Sequence, residues 1–178
     1  MKQVVVVTSS PRKNGNSETL AKKFAEGAKQ AGHEVHFVAV RDLDLKFCTG
    51  CMYCQTHDKC VLRDGMNELY ETFQNADVLA FATPVYYYAV SGQLKTLLDR
   101  LNPLYPRDNK FKDVYLLTTA ADENESAMDG AAKDMQGWID CFDGVTLKGV
   151  LRGVGVTEVG EINNTPFPEQ AFEMGKGI

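Results

Sequence analysis

The stretch Thr8-Ser9-Ser10-Pro11-Arg12-Lys13-Asn14-Gly15-Asn16-Ser17 gathers hydroxyls, a guanidinium and a run of small polar residues in one short segment. Hydroxyls, an arginine and backbone N–H groups leading into a helix N-terminus together suit a phosphate dianion. Neither common nucleotide loop is present: there is no G-x-x-x-x-G-K-S/T, and no G-x-G-x-x-G follows the apolar run Val4-Val7. ATP and NAD therefore lose ground as tightly held ligands. On residue types alone, the alternative is a polar surface turn in which Asn16 or Ser17 caps a helix. Position favours the phosphate, because the stretch directly follows the first strand, where an open α/β sheet binds its ligand.

A second chemical cluster is Cys48-Thr-Gly-Cys51-Met-Tyr-Cys54 followed by Cys60, spaced C-x2-C-x2-C-x5-C. A structural zinc usually takes two C-x2-C knuckles separated by a longer spacer, whereas consecutive x2 spacing is that of an iron-sulfur cluster loop. Iron-sulfur chemistry is the better metal reading, with metal-free thiols, a labile disulfide or another metal left open. His33, His36 and His57 show no metal-ligand spacing among themselves. His57, inside the cysteine segment, is a candidate for orienting a ligand from behind. Cys141 is expected to be a small buried apolar residue on a helix, and Trp138 with Ile139 and Phe142 to be core or interface.

The elements that must position these groups alternate regularly. Gln3 to Val7 is a β-branched run that reads as a strand buried on both faces. Leu20, Phe24 and Ala28 recur at helical spacing, so residues 17–30 read as an amphipathic helix closed by Gly32. Further strands are predicted at 35–40, 78–82, 114–118 and 145–156, and helices at 66–74, 92–101 and 125–142. The acidic run from Asp122 to Glu125 sits where negative charge complements a helix N-terminus. The tail from Glu161 to Ile178 reads as a terminal helix lying on the surface. The pattern predicts one α/β domain over 1–178, a doubly wound five-stranded parallel sheet with helices on both faces, carrying a cysteine-rich insertion loop at 47–61.

The net charge of -5, from 19 basic and 24 acidic residues, leaves no basic footprint for nucleic acid. The Val4-Val7 run is too short for a signal peptide or membrane span. Cysteines crowded in one segment fit a reducing, cytoplasmic setting better than a secreted disulfide scaffold.

The segment V-V-T-S-S-P-R-K-N-G-N-S resembles the first loop of the flavodoxin-like NAD(P)H-dependent FMN reductases, a family that includes iron-sulfur flavoproteins. A second block, Ala82-Thr83-Pro84-Val85-Tyr86-Tyr87, then Ser91-Gly92-Gln93-Leu94-Lys95 and Asp99-Arg100, is similar to that family's flavin-ring loop and the helix after it. The resemblance implies a flavodoxin-like fold with FMN as cofactor. It places Ser9, Pro11, Arg12, Asn16 and Ser17 at the phosphate, and Thr83, Pro84, Val85, Tyr86 and Tyr87 along the isoalloxazine ring. Such a strand end offers a flat apolar or aromatic neighbour together with backbone N–H donors. A third contact is expected from Thr119 and Ala120, where relatives often carry glycine; alanine serves there only if φ is negative. Lys95, Asp99 and Arg100 take a structural role as a water-facing helix surface or subunit contact. The resemblance further implies NAD(P)H as co-substrate, a small-molecule or protein electron acceptor, and a homodimer or homotetramer. It also implies a 4Fe-4S cluster on Cys48, Cys51, Cys54 and Cys60, in which case ferredoxin is a candidate partner.

Overall fold

In the computed structural model, which describes residues 1–178 apart from Pro106, Val4 to Val7 form the centre of the molecule. They lie on β1 (Gln3–Thr8) and are at most 1% exposed. Alternate side chains leave a strand on opposite faces. Val5 and Val7 accordingly enter one core with Phe81, Leu94, Leu97 and Met135, while Val4 and Val6 enter another with Leu20, Phe24, Ala80 and Ala171.

The remaining elements are α1 (Asn16–Gln30), β2 (Glu34–Ala39), α2 (Cys54–His57), α3 (Tyr70–Asn75), β3 (Val78–Tyr86), β4 (Ala89–Val90), α4 (Gly92–Arg100), β5 (Asp113–Thr119), α5 (Asp129–Ile139), β6 (Thr146–Gly153) and α6 (Phe167–Lys176). The strand order is β2-β1-β3-β5-β6, all parallel, which is the doubly wound arrangement read from the sequence. The chain reverses direction across the sheet between β1 and β3. Ligands of such sheets bind at the carboxyl ends of the two strands flanking that point. The sheet gains a sixth strand, because β4 folds back antiparallel on the end of β3.

The helix boundaries differ from the periodicity in two places. The helix expected from Met66 begins only at Tyr70, since Asp64 accepts the Met66 N–H at 3.1 Å and winds residues 64–69 into turns. The long helix expected over 125–142 divides into a 3-10 turn, Glu125–Met128, and α5. Cys141 consequently falls beyond the helix and is exposed rather than buried.

The terminal helix is more deeply built in than its amphipathic pattern suggests. Helix α6 packs along α1, with Ala171 and Gly175 buried. A Cβ on Gly175 would stand 2.0 Å from the Phe24 carbonyl oxygen, and one on Gly27 the same distance from that of Phe172. Two glycines thus set the helix separation, with backbone against backbone. Gly175→Ala is expected to cost about 1–3 kcal/mol, the usual penalty of overpacking, read as a lower urea midpoint with unchanged slope.

Candidate functional site

A pocket opens at the carboxyl ends of β1, β3 and β5. The loop after β1 contributes Ser10, Arg12, Gly15, Asn16 and Ser17; the end of β3 contributes Pro84, Val85 and Tyr86. The segment after β5 adds Thr119, Ala120 and Ala121, and Val156 and Thr157 close the remaining side.

Backbone geometry explains the loop's composition. Asn14 takes a left-handed conformation, φ 57°, which asparagine tolerates better than most residues. Gly15 leaves no room for a side chain, as a Cβ would lie 2.7 Å from the Ser10 hydroxyl. The Asn14 N–H donates to the Glu18 carboxylate at 2.8 Å. Glu18 is buried and also receives Arg41 through two nitrogens, at 2.9 and 3.2 Å, and Lys22 at 3.0 Å. Burial pushes the Glu18 carboxyl up, but these donors outweigh it and hold the carboxyl below its ordinary value of 4.5. Its contribution to stability is therefore complete above that value and is lost as pH falls through the lower, folded one. Glu18→Gln is expected to lose about 1–3 kcal/mol at pH 7 and to unfold with a shallower acid dependence than the native chain, in denaturant melts from pH 7 to 3.

The residues expected at the phosphate divide into three groups. Arg12 and Ser17 line the pocket, and the Ser17 hydroxyl is buried with no partner. Asn16 also lines it, but its side chain is spent on the turn after β6: Nδ2 donates to the Glu158 carbonyl at 2.9 Å, and Oδ1 accepts the N–H groups of Gly160 and Ile162. Ser9 lies beneath the pocket, fully buried, its hydroxyl donating to the Ala82 carbonyl and accepting from Ser91 Oγ at 2.9 Å. Pro11 is exposed and does not line the pocket.

The ring-side residues divide likewise. Pro84, Val85 and Tyr86 line the pocket; Thr83 sits under it, its Oγ1 donating to the Pro84 carbonyl at 2.9 Å and accepting the Ser91 N–H at 3.1 Å. Ser91 also caps α4 by accepting the Leu94 N–H. Tyr87 points to solvent, 99% exposed, at the tip of the β3–β4 hairpin. Tyr87 and Tyr88 both have positive φ, 49° and 64°, the backbone that a two-residue hairpin demands but bulky side chains resist. Helix α5 holds the hairpin in place. Gly130 brings its backbone against the Tyr88 carbonyl, and Asp134 accepts the Val90 N–H at 3.2 Å. Thr119 and Ala120 line the pocket, and no residue from 118 to 123 has a positive φ, so the backbone there suits alanine.

Thr157 escaped the sequence reading. Arg12 Nη1 donates to its carbonyl at 2.8 Å across 145 positions of chain. No local spacing signals such a contact.

All four clustered cysteines line a second pocket, against Arg100 and Asn102 at the far end of α4. Cys54 is buried and Cys60 half-buried, while Cys48 and Cys51 are exposed. Asn102 Nδ2 donates to Cys54 Sγ at 3.2 Å and Arg100 Nη2 to Cys60 Sγ at 3.6 Å. The Tyr53 N–H, and then the Thr49 hydroxyl, hold the Cys51 thiol below its ordinary pKa. Among the described residues, no three His, Cys, Asp or Glu side chains gather closely enough to hold a single metal ion. His57 stacks on Tyr53 at 3.8 Å, is exposed and does not line this pocket, so it orients none of the sulfurs. Arg100 is not on a water-facing surface: its side chain is fully buried against Asp64, whereas Lys95 and Asp99 pair in the open.

Comparison with known proteins gives this arrangement its relatives. An iron-sulfur flavoprotein of Archaeoglobus fulgidus is 29% identical over 99% of the chain and 78% of its own length. Another, of Methanocaldococcus jannaschii, is 34% identical over 57% of the chain and 53% of its own length, so the chain aligns with only about half of that relative. Among solved structures, an NAD(P)H:quinone oxidoreductase of Methanothermobacter marburgensis superposes with a TM-score of 0.76, at 19% identity, over 99% of this chain and 96% of that one, which shows the shared flavodoxin-like fold. The sequence profile of the NADPH-dependent FMN reductases matches residues 2–155, and the chain belongs to that family.

Proposed function

We propose that this chain is an FMN-dependent oxidoreductase that accepts hydride from NAD(P)H and passes electrons to a small-molecule or protein acceptor. The observation that carries the reading is the Ser17 hydroxyl, buried without a partner at the N-terminus of α1, beside Arg12 and across a pocket from Pro84–Tyr86. A buried hydroxyl with no partner costs roughly 1–3 kcal/mol. A phosphate oxygen would satisfy it, and the helix N-terminus and Arg12 would share the charge. Val85 and Tyr86 supply the apolar and aromatic surface that a flavin ring needs.

FMN, once bound, supplies the hydride and electron chemistry. The pocket's own side chains orient and desolvate. None of those lining it is a carboxylate, imidazole or thiol; its polar side chains are hydroxyls, the Asn16 amide and the Arg12 guanidinium. Thr83 and Ser9, tied through Ser91, keep the two halves of the pocket in register. Anaerobic mixing with NADH or NADPH tests the reading. Bleaching of the flavin by either is expected; no bleaching by either, when reduced ferredoxin does bleach it, would overturn the reductase.

A second reading is favoured by the cysteine pocket. Cys48, Cys51, Cys54 and Cys60 line one cavity, and four cysteine sulfurs are the donor set of a 4Fe-4S cluster, whose irons each take one ligand. Cys48, Cys51, Cys54 and Cys60 would hold it, and it would supply one-electron transfer, with ferredoxin as donor. Two further parts of the proposal are assembly as a homodimer or homotetramer, supported by the exposed Tyr87 and Tyr88, and a cytoplasmic setting. Among the described residues no helix is long and apolar enough to cross a membrane.

A further inference from the structure

Among the described residues Arg100 is the largest fully buried side chain by volume, and its guanidinium stays charged at any accessible pH. Burying such a charge is costly unless it is paired and hydrogen-bonded. Its fork is used almost completely. Both terminal nitrogens hold the Asp64 carboxylate, Nη1 also donates to the Lys46 carbonyl at 2.8 Å, and Nη2 reaches Cys60 Sγ. Asp64 in turn accepts the Lys46 N–H at 2.9 Å. Arg100 and Asp64 thus clamp the chain just before Cys48 to the chain just after Cys60. A clamp alone does not require a nitrogen on the sulfur. Asn102, two residues further on, aims an amide N–H at Cys54 Sγ at 3.2 Å, closer than the Gln55 amide at 3.9 Å. Two more polar atoms in this corner are buried without a well-aligned hydrogen bond, Arg100 Nε and the Tyr70 hydroxyl, and the latter lies against both Arg100 and Cys60.

We infer that Arg100 and Asn102 are positioning residues of the cysteine pocket, whose N–H groups on the Cys60 and Cys54 sulfurs raise the reduction potential of a cluster held there. The inference rests on the second reading above. Hydrogen bonds to ligand sulfurs stabilise negative charge, and the reduced cluster carries more of it, so each donor favours reduction. The placement has a further consequence. Helix α4 carries Ser91 of the flavin-pocket floor at one end and Arg100 at the other, a span of about 13 Å for nine helical residues. One rigid element therefore supports both pockets.

The test compares the native chain with Asn102→Leu and Arg100→Lys, each reconstituted anaerobically with iron, sulfide and FMN. Redox titration is followed by the electron paramagnetic resonance of the cluster and the visible spectrum of the flavin. Arg100→Lys keeps a charge for Asp64 but loses the arm that reaches Cys60. Asn102→Leu leaves the buried ion pair untouched, so it carries the test even if Arg100→Lys folds poorly. With iron and sulfide content equal to the native chain, the cluster's reduction equilibrium is expected to shift about tenfold toward the oxidised form, about 59 mV for one electron, and the flavin potential to stay in place. An unchanged cluster potential in Asn102→Leu at full iron content overturns the inference and leaves the cluster reading standing. A native chain that takes up no iron or sulfide overturns both.

Discussion

The double variant Arg12→Ala, Ser17→Ala is expected to bind FMN about 10²–10⁴-fold more weakly than the native chain and riboflavin about as well as before. Hydrogen bonds to a charged group are worth about 1.5–3 kcal/mol each, and every 1.4 kcal/mol is about tenfold in affinity. Riboflavin lacks the phosphate, so it isolates the ring-side contacts of Pro84, Val85 and Tyr86. The fold should tolerate both changes. Ser17 Oγ has no partner to lose, and Arg12 gives up one surface bond to Thr157. Flavin fluorescence titration reads both affinities, and equal losses for the two ligands would move the phosphate away from this loop.

Asp64→Ala is expected to destabilise the chain by about 3–5 kcal/mol, because it strands the Arg100 charge in the interior. At about 2–4 °C per kcal/mol for a chain of this size, the melting temperature falls by about 6–20 °C. Asp99→Ala provides the comparison on the same helix. Its pair with Lys95 is exposed on both sides, and such pairs contribute about 0–1 kcal/mol. Matching thermal losses for the two variants would show that burial of the ion pair is not what matters.

The alternation of strands and helices, the polar loop after β1 and the cysteine spacing were all legible because each is contiguous. Val4–Val7 reads as buried on both faces because no polar residue interrupts it, and the sheet does bury both faces. The same reasoning failed where a residue's surroundings come from distant chain. Asn16 has the right type for a phosphate ligand, yet its side chain serves a turn more than 140 positions away. Arg100 looks like part of a charged surface beside Asp99, yet Asp64 and the Lys46 carbonyl draw it inside. Cys141 has an apolar neighbourhood in sequence, but α5 stops short of it.

The loop from Ser9 to Ser17, where the sequence concentrates its hydroxyls and its arginine, was determined locally, since a strand, a turn and a helix N-terminus follow one another along the chain. Its division of labour was not. Ser17 and Arg12 face the pocket, Ser9 braces β1 against β3 and α4, and Asn16 anchors the segment from 158 to 162. Only the tertiary structure decides this, because hydrogen bonds are assigned by proximity in space, and residue type says only which atoms are available to make them.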